Sequence, residues 1–369
     1  MRLKPLVIML ATIVLSVGQP AYAAEAEPAN QPIFQALQGA GSAQHVLDSF
    51  EVGDQVYVRS LAMEPGRKAL WVGTSAGVLE IDLDTMAVRN TFTREHGLAN
   101  EYVFAIFVDS QGYKWFGTNA GGASRYRNGE WKVFFPMHGL ADYWIYSFAE
   151  QPNGLLWIGT WAGANSVDLK TLSFKTYLNE LINEWVYAID IDSSERVWFG
   201  TEGGISLFDG EAWRHWTHAD GMGAENTAHN PVSKNTGLGT RSRHSLSVLD
   251  EGRETYNPNY VFSLIVDSED RVWAGTWGGG VARFDGERWT NFNTDDGLGG
   301  NIVYSMVQDG SGVFWFGTNH GLSRYDGDTW TTYNRADGLL DDNVYAISIA
   351  PGGDVWVGTK RGVARIGYK

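Results

Sequence analysis

From residue 57 onward, short apolar or alternating runs recur between turns rich in Gly, Asp and Asn. No stretch there carries the 3.6-residue period of an amphipathic helix. Residues 301–334 are the clearest unit. Residues 302–308 (Ile-Val-Tyr-Ser-Met-Val-Gln) predict a buried inner strand, closed by the turn Asp309-Gly310-Ser311-Gly312. Residues 313–318, carrying Trp315, predict a second strand and residues 322–325 a third. Asp326-Gly327 is a tight hairpin signal, residues 329–333 a fourth strand, and 334–342 a crossing to the next unit. Asp209-Gly210, Asp285-Gly286 and Asn128-Gly129 repeat the hairpin. Their Asp side chains, and those of the Asp-x-x-Gly turns, read as turn caps. They lack the alternating ligands and closing Glu of a calcium loop.

The unit repeats. Trp-x-Gly-Thr begins at Trp71, Trp115, Trp157, Trp198, Trp273, Trp315 and Trp356, at intervals of 44, 42, 41, 75, 42 and 41 residues. A period of about 40–45 residues filled with short strands predicts β-propeller blades. The long interval holds one blade plus an insertion of roughly 33 residues, placed at 222–253. The expectation is an all-β, seven-bladed β-propeller over residues 44–369 with four antiparallel strands per blade. Trp should fill the wedge between blades, with the Gly beside it permitting close approach. The last unit ends after its third strand (362–367), and residues 44–51 form a strand without a blade. Pairing the two completes blade seven and leaves no open edge.

The 16 Trp, 17 Phe and 16 Tyr suit a large core, and the absence of Cys excludes disulfides, thiolate metal sites and a cysteine nucleophile. Residues 1–23 read as a signal peptide. Arg2 and Lys4 precede a mostly apolar stretch at 6–17, and Ala21-Tyr22-Ala23 has a small-x-small cleavage pattern. The stretch is too short to span a bilayer. Residues 24–43 are expected to be a flexible segment, and the product to be periplasmic or secreted, not membrane-anchored. The formal charge of −15 becomes more negative when Arg2 and Lys4 are removed. It argues against nucleic-acid partners.

In a propeller the second-to-third turns and the blade crossovers share one end, and the longer loops make that the expected binding end. Aligning the inner strands on Val58, Val103, Ile145, Val186, Val261, Val303 and Val344 exposes two rings. The residues just before are Tyr57, Tyr102, Trp144, Trp185, Tyr260, Ile302 and Asn343. Those just after are Arg59, Phe104, Tyr146, Tyr187, Phe262, Tyr304 and Tyr345. The second ring reads as packing between blades, except that Arg59 stands where the others are aromatic and calls for a carboxylate or ligand partner. In the turns, Trp161 and Trp277 follow Gly-Thr directly, where a bulky ring gains little, and are expected as exposed stacking surfaces. The candidate ligand contacts are Arg59, Trp144, Trp161, Trp185, Glu202, Trp277, His320 and Arg361. No catalytic constellation emerges, and no metal or other cofactor is expected. His218, His229 and His244 lack ligand spacing, and His320 with Glu202 is the one acid–base pair placed at that end. The insertion is polar, with a basic patch of Arg241, Arg243, His244 and Arg253, and reads as a lid, a docking loop or a surface excursion.

The fullest repeat, residues 296–326, reads Asp-Gly-Leu, Asn-x-Val-Tyr, Gly-x-x-Trp-x-Gly-Thr, then Gly-x-x-Arg-Tyr-Asp. A second copy at 337–366 has Asp for the Asn and Ile for the last Tyr. This resembles the two-component regulator propeller repeat. The resemblance implies a periplasmic sensor-type propeller of the kind found in hybrid histidine kinases, often responding to oligosaccharides. No kinase or immunoglobulin-like linker is expected in this chain. The implied function is an exported non-catalytic propeller that binds a carbohydrate, a small metabolite or an envelope protein. The alternative is a metal-dependent lyase or hydrolase similar to streptogramin lyases, although their repeat reads Trp-Phe-Thr-Glu.

Overall fold

A computed structural model describes residues 35–36, 44–232 and 254–368. Seven sheets of antiparallel strands surround a central axis. Blade 1 runs from the inner strand Val58–Glu64 to the outer strand Ala87–Phe92. Blades 2 to 6 begin with inner strands Val103–Val108, Ile145–Glu150, Val186–Ile191, Asn257–Val266 and Val303–Gln308, and blade 7 with Val344–Ile349. The chain is therefore the expected seven-bladed β-propeller.

Blade 7 is closed by the N-terminal strand. His45–Glu51 pairs with Gly362–Gly367, from His45 opposite Gly367 to Glu51 opposite Gly362. Arg365 ties the clasp, donating from Nη2 to Asp48 Oδ2 at 2.6 Å and from Nη1 to Asp354 Oδ2 at 3.1 Å. Inside the segment expected to be flexible, Gln35–Ala36 adds a short strand outside the clasp. The proposed signal peptide and the rest of 24–43 lie outside the described residues, as do 233–253 with Arg241, Arg243, His244 and Arg253.

Every residue of the repeat motif has a visible job. All seven tryptophans are buried. Trp71 packs against Phe116 of the next blade, Trp157 against Phe199, and Trp273 against Phe314, with centroids 5.9, 5.4 and 4.2 Å apart. A Cβ on Gly73 would lie 3.0 Å from Val103 Cγ1, and one on Gly358 would lie 2.5 Å from Val58 Cγ1. The Gly thus lets each blade touch the inner strand of the next. Each Thr hydroxyl donates to the carbonyl that ends its turn, as Thr74 does to Gly77 and Thr359 to Gly362.

The crossovers use a second device. In five crossovers a tight turn, 3-10 in four of them, ends on a left-handed glycine such as Gly97 (φ 112°) or Gly338 (φ 109°), before a buried apolar residue. Leu98, Leu140, Leu298 and Leu339 hold that place, and Met222 holds it between blades 4 and 5. From Met222 to Val232 the insertion remains on described backbone, with Gly223 N donating to Asn291 and Ala224 N to Gly279 O.

Candidate functional site

Seven β-bulges build the axial site. In each blade the pairing of the inner strand with the second strand skips one residue: between Val58 and Ser60, Val103 and Ala105, Ile145 and Ser147, Val186 and Ala188, Val261 and Ser263, Val303 and Ser305, and Val344 and Ala346. The skipped residues are Arg59, Phe104, Tyr146, Tyr187, Phe262, Tyr304 and Tyr345. A bulge removes a residue from the ladder and re-aims its side chain. All seven line one axial cavity of about 220 Å³. The expectation of ordinary inter-blade packing for this ring is corrected accordingly, since strict alternation does not reveal a bulge.

Around the axis the side chains form a closed circuit. Centroids of Phe104 and Tyr146 are 5.0 Å apart, Tyr146 and Tyr187 5.0 Å, and Tyr187 and Phe262 5.8 Å. Phe262 and Tyr304 follow at 5.9 Å and Tyr304 and Tyr345 at 5.0 Å. Arg59 closes it, its Cζ 5.1 Å from the Tyr345 ring centroid and 5.4 Å from that of Phe104. The carboxylate expected beside Arg59 is absent among the described residues, and Nε and Nη1 are buried without an acceptor. Its partners are aromatic faces. Burial pushes the phenols of Tyr146, Tyr187, Tyr304 and Tyr345 above the usual tyrosine range.

The crossover end sits directly on this circuit. In six blades the residue after Gly-Thr donates its amide to the carbonyl of the residue preceding the inner-strand Val or Ile: Ser75 to Tyr57, Asn119 to Tyr102, Trp161 to Trp144, Glu202 to Trp185, Asn319 to Ile302 and Lys360 to Asn343, whereas in blade 5 Trp277 pairs with Asn257. Turn and first ring are therefore neighbours in register. Trp144, Trp161 and Trp185 come together, with Trp161 5.7 Å from Trp144 and 4.5 Å from Trp185. Trp277 stacks on Tyr260 at 5.3 Å, and Tyr260 lies 4.7 Å from Tyr187, linking blades 4 and 5.

The turn tryptophans are not open platforms. Trp161 is 8 % exposed, Trp185 5 % and Trp277 5 %, and the Trp277 indole donates to Thr255 Oγ1 at 2.8 Å. Half-buried Tyr57, Tyr102, Trp144 and Tyr260 remain accessible. Glu202 is buried and accepts from the Tyr187 hydroxyl at 3.0 Å. His320 is exposed and pairs with Glu254 at 2.8 Å, a residue the sequence did not single out. The expected pairing of His320 with Glu202 is replaced by these two separate contacts. Arg361 reaches Glu51 at 3.5 Å and lines a separate groove of about 730 Å³ with Tyr57, Asp341 and Lys360. Among the described residues there is no group of three His, Asp or Glu arranged to hold a metal, and no helix is long and apolar enough to cross a membrane.

The family pattern described as two component regulator propeller matches residues 139–162, 255–278 and 297–320. No curated protein sequence matches the chain. Among solved structures, the extracellular domain of a hybrid two component system of B. thetaiotaomicron is 20 % identical over 90 % of this chain, with a TM-score of 0.68. This chain spans 41 % of that one. A catalytically inactive virginiamycin B lyase from Staphylococcus aureus, solved with quinupristin, is 14 % identical over 89 % of this chain and all of its own length, with a TM-score of 0.65. PorZ, a surface component of the type-IX secretion system of Porphyromonas gingivalis, is 12 % identical over 90 % of this chain and 38 % of its own, at 0.56. At such identities these likenesses establish the fold alone. This chain is a seven-bladed propeller with a Trp-x-Gly-Thr unit in every blade, and three of those units match the two component regulator propeller repeat.

Proposed function

We propose that this chain is an exported, non-catalytic propeller that binds a carbohydrate or small metabolite on its axis at the crossover end. The observation that carries the reading is the aromatic continuity from the half-buried Trp144 and Tyr260 at the mouth down to the bulge circuit, through Phe104–Trp144 at 6.2 Å and Tyr187–Tyr260 at 4.7 Å. Flat apolar faces with a few polar groups suit sugar rings and other ring-bearing ligands. Trp144 and Tyr260 form the stacking edge, and Arg59 supplies a polar contact at the floor. Trp161, Trp185 and Trp277 hold these in place, with His320 at the rim and Arg361 in the separate groove beside Tyr57. Passing a binding signal to a separate envelope protein is the role that fits a sensor-type repeat.

The test is a glycan and metabolite array on the full chain, followed by calorimetry. Trp144→Ala should weaken a hit about 5- to 30-fold, the worth of one stacked ring. An array without hits, or unchanged binding by this variant, would overturn the reading. Export is checked separately: protein recovered from the periplasm should begin at Ala24 by mass spectrometry.

A further inference from the structure

We propose that the axial cavity seats the carboxylate of an acidic ligand against Arg59; this names the ligand class of the site proposed above and rests on that reading. Six blades place an aromatic ring at the bulge, so an aromatic side chain fits this position well, and blade 1 alone places a guanidinium there. Arg59 is partly exposed where it lines this cavity, while its buried Nε and Nη1 find no acceptor among the described residues. Its neighbours are the faces of Phe104 and Tyr345. The flanking Tyr345 phenol is neutral near pH 7 in any case, burial raises its pKa further, and it supplies no counter-charge.

A guanidinium so placed is costly, since desolvation is offset only in part by cation–π attraction. Packing alone would favour a seventh aromatic. A site held at some expense to stability is characteristic of binding function. The planar fork of Arg matches a carboxylate in two parallel hydrogen bonds. The cavity, about 220 Å³, is smaller than the roughly 300–1,000 Å³ that encloses a whole ligand. It therefore takes the acidic end, while the remainder of the ligand lies against Tyr102 and Trp144, which border Phe104 at 4.9 and 6.2 Å.

The experiment titrates the full chain with glucuronate, trigalacturonate and citrate, and in parallel with glucose and maltotriose, by calorimetry. The acidic probes should bind at least about tenfold more tightly than their neutral counterparts. Arg59→Met should weaken the acidic probes about 10- to 100-fold, as expected for a lost charge-assisted pair. Arg59→Lys should recover only part, having charge without the fork. Melting of Arg59→Met should match or exceed that of the parent protein, because an uncompensated charge has been removed. If Arg59→Met does not fold, unchanged affinity in Arg59→Lys overturns the proposal. Equal binding of acidic and neutral probes, no binding of any acidic probe, or Arg59-independent binding also overturns it. In those cases a neutral glycan bound through Trp144 would leave the carbohydrate reading standing. Citrate binding through Arg59 with no glycan bound would support the acidic seat and reject the carbohydrate.

Discussion

The indole Nε1 of Trp273 donates to Oδ2 of Asp267 at 2.7 Å, joining the repeat tryptophan to the turn six residues earlier. The same latch joins Trp115 to Asp109, Trp198 to Asp192 and Trp315 to Asp309, at 2.8, 2.9 and 3.2 Å. Gln151 replaces the carboxylate beside Trp157, and Glu64, one residue further back, serves Trp71. The Asp-x-x-Gly turns at Asp109 and Asp309 are caps, as read from sequence, each carboxylate accepting two amides of its turn, and Asp192 and Asp267 cap turns without the Gly in the same way. Their carboxylates also answer the buried indole, which local turn chemistry does not foretell.

Asp267 also accepts from Arg271 Nε at 2.7 Å and from the amides of Glu269 and Arg271 at 2.9 Å each. Asp267→Ala should therefore destabilise by about 2–4 kcal/mol, since several donors lose their acceptor. Burial raises the Asp267 pKa, yet bonds from Trp273, Arg271 and the backbone hold it below the usual carboxylate range. Its contribution is present above the unfolded pKa of about 4 and is lost as pH falls through the lower folded value. Urea unfolding of the variant and parent should converge below that range.

Asp190 works in the opposite direction. Partly exposed between blades 4 and 5, it accepts from Val266 N at 2.7 Å, and burial of its carboxyl group raises its pKa to about 6. The folded protein then holds a proton that the unfolded chain, with a pKa of about 4, has released. Between about pH 4 and 6 the folded state binds more protons, so this group's contribution to stability declines as pH rises. Relative to the parent, Asp190→Asn should be about 2 kcal/mol more favourable at pH 7.5 than at pH 4.5. A pH-independent difference in urea unfolding would contradict the assignment.

The clasp should dominate resistance to unfolding. Removing residues 24–51 should lower the melting temperature by many degrees, because it strips blade 7 of its outer strand and leaves the buried edge of Gly362–Gly367 unpaired. Removing 24–40 deletes only the Gln35–Ala36 pairing from that sheet and should matter much less. Equal melting of the two truncations would show that closure resides elsewhere.

Trp161 separates packing from recognition. Because it is buried between Trp144 and Trp185, Trp161→Ala should cost about 3–5 kcal/mol in stability. Trp144→Ala, at a half-buried position, should cost distinctly less while affecting binding. Thermal melts of the two variants, measured without ligand, check the ordering.

The sequence by itself determined the blade count, the strand order and the clasp. Those features follow from a motif repeated at constant spacing and from two strands left without partners at the chain's ends, and neither requires knowledge of side-chain direction. It also singled out Arg59 as the exception in a ring of aromatics. Tertiary structure decided what that ring does. Period-two alternation assigns Phe104 and Tyr146 to a blade face, whereas a single unpaired residue in each inner strand turns them to the axis, and a bulge has no fixed sequence signature. Exposure was likewise beyond the sequence: Trp161 and Trp277 lie in turns, but Trp185 of the adjoining blade covers Trp161, and Tyr260 of its own blade with Tyr304 of the next covers Trp277. Burial at the mouth of a propeller depends on elements far apart in the chain converging on one axis, and only the closed ring brings them there.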